Sequence, residues 1–285
     1  MKILVTGGKG QLGCEINKLS FNHNYDWLFS DSDIFDLSDL KNINVFLDKS
    51  KPDIIINCAA YTLVDNAEVD FEIANTINHK SVELIAKWSY NNNCKLIHIS
   101  TDYVYDGAST ITIKEDARAN PVNNYGKTKL FGDLACLNNN PSSIIIRTAW
   151  LYSSFGNNFV TKMLNLMKSK SQLNIVNDQI GSPTYAADLA EAILLIINTK
   201  IWKPGIYNYT NLGKVSWFDF ANDIKSIYGF DVTIVGVSTS EYFQQAKRPK
   251  YSILDNSKIK STFDINQMNY LDSLNKCIKI LQNES

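Results

Sequence analysis

Residues Thr6 to Gly13 read Thr-Gly-Gly-Lys-Gly-Gln-Leu-Gly, and no other stretch restricts the fold so strongly. They follow a short apolar run, Lys2–Thr6. They precede Gln11–Leu19, where Leu12, Ile16 and Leu19 recur on one helical face. Gly7, Gly10 and Gly13 carry the spacing G-x-x-G-x-x-G. Strand, glycine turn and helix in that order open a dinucleotide-binding βαβ unit. Glycine permits the tight turn and lets backbone N–H groups approach a pyrophosphate, whose charge the helix N-terminus stabilises. A glycine turn that binds nothing matches the same pattern, so the argument needs an acid further on. Such a unit places one about 20 residues downstream, against the adenosine ribose. Asp31 stands 18 residues after Gly13. Asp33 competes with it but reads better as a solvated turn. Asp36 and Leu37 would then flank the adenine. Asp31 favours NADH and Lys9 tolerates a 2′-phosphate, so NADH and NADPH both stay open.

The rest of the first half alternates strand and helix signals. Trp27–Phe29 reads as a strand, Leu37–Leu47 as a helix stopped by Pro52, and Asp53–Asn57, with three consecutive isoleucines, as a strand buried on both faces. A long helical stretch is expected from about Asp65 to Asn91. Strands follow at Lys95–Ser100 and Ser143–Thr148, with a helix from about Asn124 to Leu137 between them. This alternation predicts an α/β fold, a doubly wound parallel sheet of Rossmann type. After about Trp150 helices at 158–168, 186–198, 217–228 and 270–281 mix with short strands at 173–176, 206–209 and 232–235. We therefore expect a cofactor-binding domain over 1–149, completed by part of 171–212. A smaller α/β substrate lobe should occupy most of 150–285.

Composition excludes several classes. The formal net charge is −1, which offers no basic footprint for nucleic acid. No apolar run approaches the ~18 residues of a membrane span, and the N-terminal apolar stretch is too short for a signal peptide. Five cysteines without a C-x-x-C pair read as reduced thiols, and so as a cytoplasmic protein. Three histidines far apart argue against a histidine metal centre.

Tyr125 and Lys129 form Y-x-x-x-K, a spacing that puts both side chains on one helix face. A tyrosine hydroxyl there can protonate a carbonyl oxygen while hydride arrives at carbon. A neighbouring ammonium should move the tyrosine pKa toward working pH and can also hold a nicotinamide ribose. In a chain with 14 tyrosines, chance supplies roughly one such pair, so position decides. This pair opens the helix between the fourth and fifth strands, at the carboxyl ends where doubly wound folds bind ligands. Ser100-Thr101-Asp102-Tyr103 leaves the fourth strand at the same end, and Thr101 is placed to donate to a substrate carbonyl. Trp150, just past the fifth strand, can stack on a base or sugar, or pack the lobes together. Asn157, Asn158, Asp178 and Gln179 can bond sugar or base, or cap helices and turns. Arg248, one of three arginines, suits bidentate phosphate recognition.

With these residues assembled, the chain resembles the extended short-chain dehydrogenases/reductases and, within them, the dTDP-4-dehydrorhamnose reductases. The glycine loop and Tyr125-Gly126-Lys127-Thr128-Lys129 are shared across the superfamily. Narrower are Ser100-Thr101-Asp102-Tyr103-Val104, Gly156-Asn157-Asn158-Phe159, Asp178-Gln179-Ile180-Gly181-Ser182-Pro183-Thr184 and Arg248-Pro249. The resemblance implies a catalytic triad of Thr101, Tyr125 and Lys129. It implies cofactor contacts at Gly10, Gln11, Asp31, Asp36, Ala60, Tyr61 and Thr62. It implies substrate contacts at Thr101, Asp102 and Trp150, to which Tyr103, Asn158 and Arg248 are added as candidates. The implied reaction reduces a 4-keto dTDP-sugar with NADPH or NADH, for surface polysaccharide. Magnesium at a dimer contact is described for some relatives. Glu15 matches one acidic position of that site, and both metal and homodimer stay open. An epimerase or reductase for another nucleotide-sugar, or a non-catalytic regulatory subunit of the same fold, are the rival readings.

Overall fold

The computed structural model describes residues 1–199 and 201–283. Its centre is a six-stranded sheet in which every pairing is parallel. The strands are β1 (Lys2–Thr6), β2 (Asp26–Ser30), β3 (Ile54–Asn57), β4 (Lys95–Thr101), β5 (Ile144–Thr148) and a last strand, Gly205–Asn208. Their order in space is β2-β1-β3-β4-β5-(205–208). The alternation of side chains along each strand explains why their centres carry consecutive apolar residues. Ile3, Val5, Ile54, Ile56, Ile144 and Ile146 enter one core, and Leu4, Ile55, Leu96 and Ile145 enter another on the opposite face. α1 (Gln11–Ser20) contributes Leu12 and Ile16 to the first core; α2 (Leu40–Ser50) contributes Ile43 and Leu47 to the second.

Two expected helices differ from the sequence reading. α2 starts at Leu40, not Leu37, because Asp36 folds back on its own turn: its carboxylate accepts from the Ser38 N–H and Oγ, each at 2.8 Å. The long helix expected from Asp65 is broken into a 3₁₀ turn (Asn66–Glu68), α3 (Phe71–Asn75), a π segment (Thr76–Lys80) and α4 (Ser81–Asn91). The wide π turn brings buried Asn78 inward. Its side chain accepts from Tyr61 N–H (2.8 Å) and donates to Tyr61 C=O (3.0 Å). Gly132 of α5 (Asn124–Asn139) lies against that turn, so closely that a Cβ would stand 2.1 Å from Asn78 O.

Beyond β5 the chain builds a third core. α6 (Phe159–Ser169) supplies Met163 and Leu164. After α7 (Ala186–Asn198), α8 (Trp217–Tyr228) supplies Phe220 and Ile224. α9 (Ser257–Phe263) was not expected from the sequence, and α10 (Tyr270–Asn283) adds Leu274 and Ile278. Gln172–Val176 and Thr233–Val237 pair in parallel beneath them. α7 instead joins the first core with Leu189, Ile193 and Ile196, and the strand 205–208 then closes the central sheet. Among the described residues no helix is long and apolar enough to cross a membrane.

Candidate active site

From β1 the chain passes to β2 on one side of the sheet, and from there across to β3 on the other. The crevice at that reversal, outside the carboxyl ends of the strands, is where such sheets bind ligands. A cleft of about 780 Å³ lies there. Gly7, Gly10, Gln11, Leu12, Gly13, Asp31, Asp36, Leu37, Ala60, Thr62, Thr101, Asp102, Tyr103, Tyr125, Lys129, Trp150 and Asn158 all line it. Of the predicted contacts, Tyr61, Arg248 and Glu15 do not, although Arg248 lies near enough for its charge to act on the cleft-lining Tyr103.

The glycine loop is held by its own geometry. Gly7 has φ +67°, Gly8 N–H donates to Ser30 O (2.8 Å), and Gly10 N–H donates to Gly7 O (3.0 Å). Gly10 is the N-cap of α1 with no side-chain cap, and the first turn carries no acid, so its N–H groups face the cleft's end of the helix uncapped. At the end of β1, Thr6 Oγ1 donates to Asn57 Oδ1 (2.6 Å) and accepts from Ala59 N–H (3.1 Å). That lock turns residues 58–60 and 62 into a cleft wall. The Tyr61 ring leaves it, and its hydroxyl donates to Asp70 (3.0 Å). Lys9 and Asp33 pair at 2.5 Å on the rim, both exposed, which leaves Asp31 and Asp36 as the acids lining this end of the cleft.

The three catalytic candidates line the one cleft. Asn123 caps α5 by accepting from Gly126 N–H (2.8 Å). Gly126 presses on residue 103; a Cβ there would stand 2.2 Å from Tyr103 O. The Tyr125 and Tyr103 rings meet edge to face, centroids 5.5 Å apart. Thr101 Oγ1 donates to Asp102 Oδ1 (3.1 Å) and accepts from Tyr103 N–H (3.2 Å). Lys129 Nζ donates to Ile99 O (2.8 Å), and the side chain is 2% exposed.

The electrostatics correct one expectation. In the protein alone burial pushes the Tyr125 phenol up to about 12, against the lowering effect of its Thr101 hydrogen bond. Lys129 does not draw it toward neutrality. Burial also pulls Lys129 down to about 8, opposed chiefly by the Asp133 carboxylate one turn on. Burial raises Asp102 to about 6, with hydrogen bonds from Ser252 and Thr101 holding it back.

Three polar atoms of cleft-lining residues are buried without any partner: Gln11 Oε1, Ser100 Oγ and Thr148 Oγ1. Buried polar atoms are rarely left so, and their grouping here fits a polar ligand. Together with the uncapped helix and the acid at Asp31, they suit a dinucleotide lying from Gly10 to Lys129.

The remaining candidates divide. Trp150 lines the cleft but stacks on Trp217, centroids 3.4 Å apart, so one face is already covered by the second lobe. Asn158 lines the cleft and also forms the capping box of α6 with Thr161. Asp178 and Gln179 bond Thr239 and brace the 238–244 loop. Arg248 grips Asp65. Glu15 is 2% exposed and accepts from Ser153 Oγ (2.6 Å). Among the described residues no group of three or more His, Cys, Asp or Glu is placed to hold a metal. Asp65, Glu68 and Asp133 were missed in sequence. The acid spacing in Asp65-Asn66-Ala67-Glu68 and the further i+4 step from Lys129 to Asp133 were the available signals.

Comparison with known proteins agrees with this geometry. The family model described as RmlD substrate binding domain matches residues 1–283. A dTDP-4-dehydrorhamnose reductase from Aggregatibacter actinomycetemcomitans is 38% identical over 280 residues, covering 93% of this chain and 94% of the relative. The crystal structure of a dTDP-4-dehydrorhamnose reductase from Clostridium acetobutylicum superposes with a TM-score of 0.95 at 40% identity, covering 99% of this chain and 100% of the other. That of the Bacillus anthracis dTDP-4-dehydrorhamnose reductase in complex with NADP superposes with a TM-score of 0.93 at 35% identity, covering 98% and 99%.

Proposed function

The chain belongs to the RmlD substrate binding domain family, and from that premise we propose that it reduces the 4-keto group of dTDP-4-dehydro-L-rhamnose to give dTDP-L-rhamnose. The carrying observation is the convergence of Thr101, Tyr125 and Lys129 on the same cleft wall as the uncapped glycine loop. The product would feed surface polysaccharide.

A bound NADPH or NADH supplies the hydride. Gly7 to Gly13 hold its pyrophosphate, Asp31 and Asp36 its adenosine end, and Lys129 its nicotinamide ribose. Tyr125 gives its phenolic proton to the substrate's 4-oxygen, while Thr101 donates a hydrogen bond to that oxygen. Trp150 offers its uncovered face to the sugar nucleotide, Asp102, Tyr103 and Asn158 border the sugar, and Arg248 meets the diphosphate. In this proposal the second lobe, drawn from residues 150–285, binds the sugar nucleotide. The reaction belongs in the cytoplasm, a reading supported by Cys14, Cys58, Cys94 and Cys136 remaining thiols.

Purified protein should consume one NADPH or NADH per dTDP-4-dehydro-L-rhamnose and leave dTDP-glucose untouched when given catalytic NAD. A 4,6-dehydratase needs carboxyl groups to remove water; here the residue after Asp102 is Tyr103, whose phenol burial raises further. A keto product accumulating from dTDP-glucose would overturn the proposal.

A further inference from the structure

Arg248 sits in a loop that three separate ties hold against the start of the catalytic helix. Asn123 Nδ2 donates to Lys247 O (2.7 Å), so the α5 cap and the loop are joined. Glu68 Oε1 accepts from Asn124 N–H (2.8 Å), joining the helix to the 3₁₀ turn at 66–68. Asp65, which begins that turn, closes the ring. Its Oδ1 accepts from Ala246 N–H and from Arg248 Nη1, both at 2.9 Å, and its Oδ2 accepts from Arg248 Nη2 at 2.7 Å.

The manner of the grip matters. A guanidinium has five N–H donors in one plane. Asp65 takes one from each terminal nitrogen, and Ala246 O takes the other from Nη1 (2.9 Å). Two remain, Nε–H and the second Nη2–H, which lie side by side along one edge. That edge is the fork that binds two phosphate oxygens. The guanidinium is little exposed, with 14% of the side chain accessible against 44% for Asp65. Its charge reaches the cleft wall: it pulls the Tyr103 phenol down while Asp65 pushes it up, both smaller than the rise from burial. The Asp65 carboxyl itself is held below the ordinary carboxylate range. Burial raises it, but the hydrogen bonds and charge of Arg248 and the Ala246 N–H outweigh burial, so it stays ionised at neutral pH.

We propose that Asp65 is a positioning residue for substrate recognition: it holds Arg248 end-on, so that the free edge of the guanidinium is presented ready to a sugar nucleotide's diphosphate. The inference rests on the reading above that Arg248 meets that diphosphate. A loose arginine must be ordered at each binding event, and Asp65 has ordered it beforehand. Asp65 touches neither the reacting carbon nor the proton donor, so its loss appears in binding and not in turnover.

The test compares Asp65→Asn, Asp65→Glu and Arg248→Ala by steady-state kinetics, with dTDP and thymidine as competitive inhibitors. Immobilising one long side chain is worth about three- to tenfold in affinity. Asp65→Asn should raise KM and the dTDP inhibition constant by about that factor, leave kcat within about twofold, and leave thymidine inhibition unchanged, because thymidine has no diphosphate. Asp65→Glu should restore most of the loss. If Arg248→Ala raises KM but Asp65→Asn leaves it unchanged or lowers it, Asp65 competes with substrate or plays no part, and the inference falls while the diphosphate reading stands. If Arg248→Ala also leaves KM unchanged, the diphosphate reading falls with it.

Discussion

Replacing Gly13 by alanine tests whether the loop's close packing serves the cofactor. A Cβ at Gly13 would stand 2.2 Å from Gly7 O and 2.7 Å from Gly8 Cα, both well inside ordinary contact. Both obstacles are backbone, so no side chain can rotate away. Gly7 cannot retreat either, because the Ala59 backbone lies directly against it: its Cα and N are 3.0 Å from the position a Gly7 Cβ would take. The relief left is for the start of α1 to lift, against Leu12 and Ile16 in the core. Overpacking of this kind costs about 1–3 kcal/mol, a fall in Tm of roughly 2–4 °C per kcal/mol for a large domain. Lifting the helix also misaligns its first N–H groups from the pyrophosphate. Hydrogen bonds to a charged group contribute about 1.5–3 kcal/mol each, so losing one weakens NADPH at least about tenfold. Titration of NADPH by tryptophan fluorescence, beside a thermal melt, separates the two effects. A dissociation constant within twofold of the parent, with Tm unchanged, would refute the reasoning.

Three further outcomes are expected. Tyr125→Phe should lower kcat by about 10²–10⁴-fold and leave NADPH affinity near the parent's, since only the proton donor goes; a loss under threefold in stopped-flow reduction would remove Tyr125 from its role. Lys129 titrates near 8 in the protein without cofactor, so its ammonium is present below that pH and lost above it. Cofactor affinity should therefore weaken as pH rises through 8, and Lys129→Met should be weaker throughout and flat across that range. Gly181→Ala would put a Cβ 2.3 Å from Trp150 Cε2. With Trp150 stacked on Trp217 and already at φ +48°, the substitution should cost about 1–3 kcal/mol and raise KM for the sugar nucleotide; parent-like melting and KM would show that the indole moves freely.

The residues that chemistry demands were the legible ones. The glycine spacing, Asp31, and the i,i+4 pair at Tyr125 and Lys129 each depend on local geometry, and local geometry is written in adjacent residues. The parallel sheet was legible because its strands carry runs of consecutive apolar residues, such as Ile54–Ile56 and Ile144–Ile146, that face both sides. The breaks at 65–91 were hidden, because the π turn is imposed by contacts of Asn78 with Tyr61 and of the turn with Gly132, 54 residues on in the chain. Arg248 was singled out as one of three arginines and suited to phosphate, yet its partner lies 183 residues away. A salt bridge at that separation leaves no periodic trace. The Trp150–Trp217 stack was hidden for the same reason.

The direction of the pKa shifts also bears on which way the site runs. A phenol near 12 is almost wholly protonated at neutral pH, so Tyr125 begins as an acid. Hydride arrival at a ketone makes an alkoxide, a base comparable with hydroxide, whose conjugate acid in bulk water sits at about 15.7. Transfer of the Tyr125 proton to that oxygen is therefore downhill even from a phenol at 12. Oxidation of an alcohol would need the phenolate first, which burial disfavours here. Burial thus keeps Tyr125 in the protonated form that keto reduction requires.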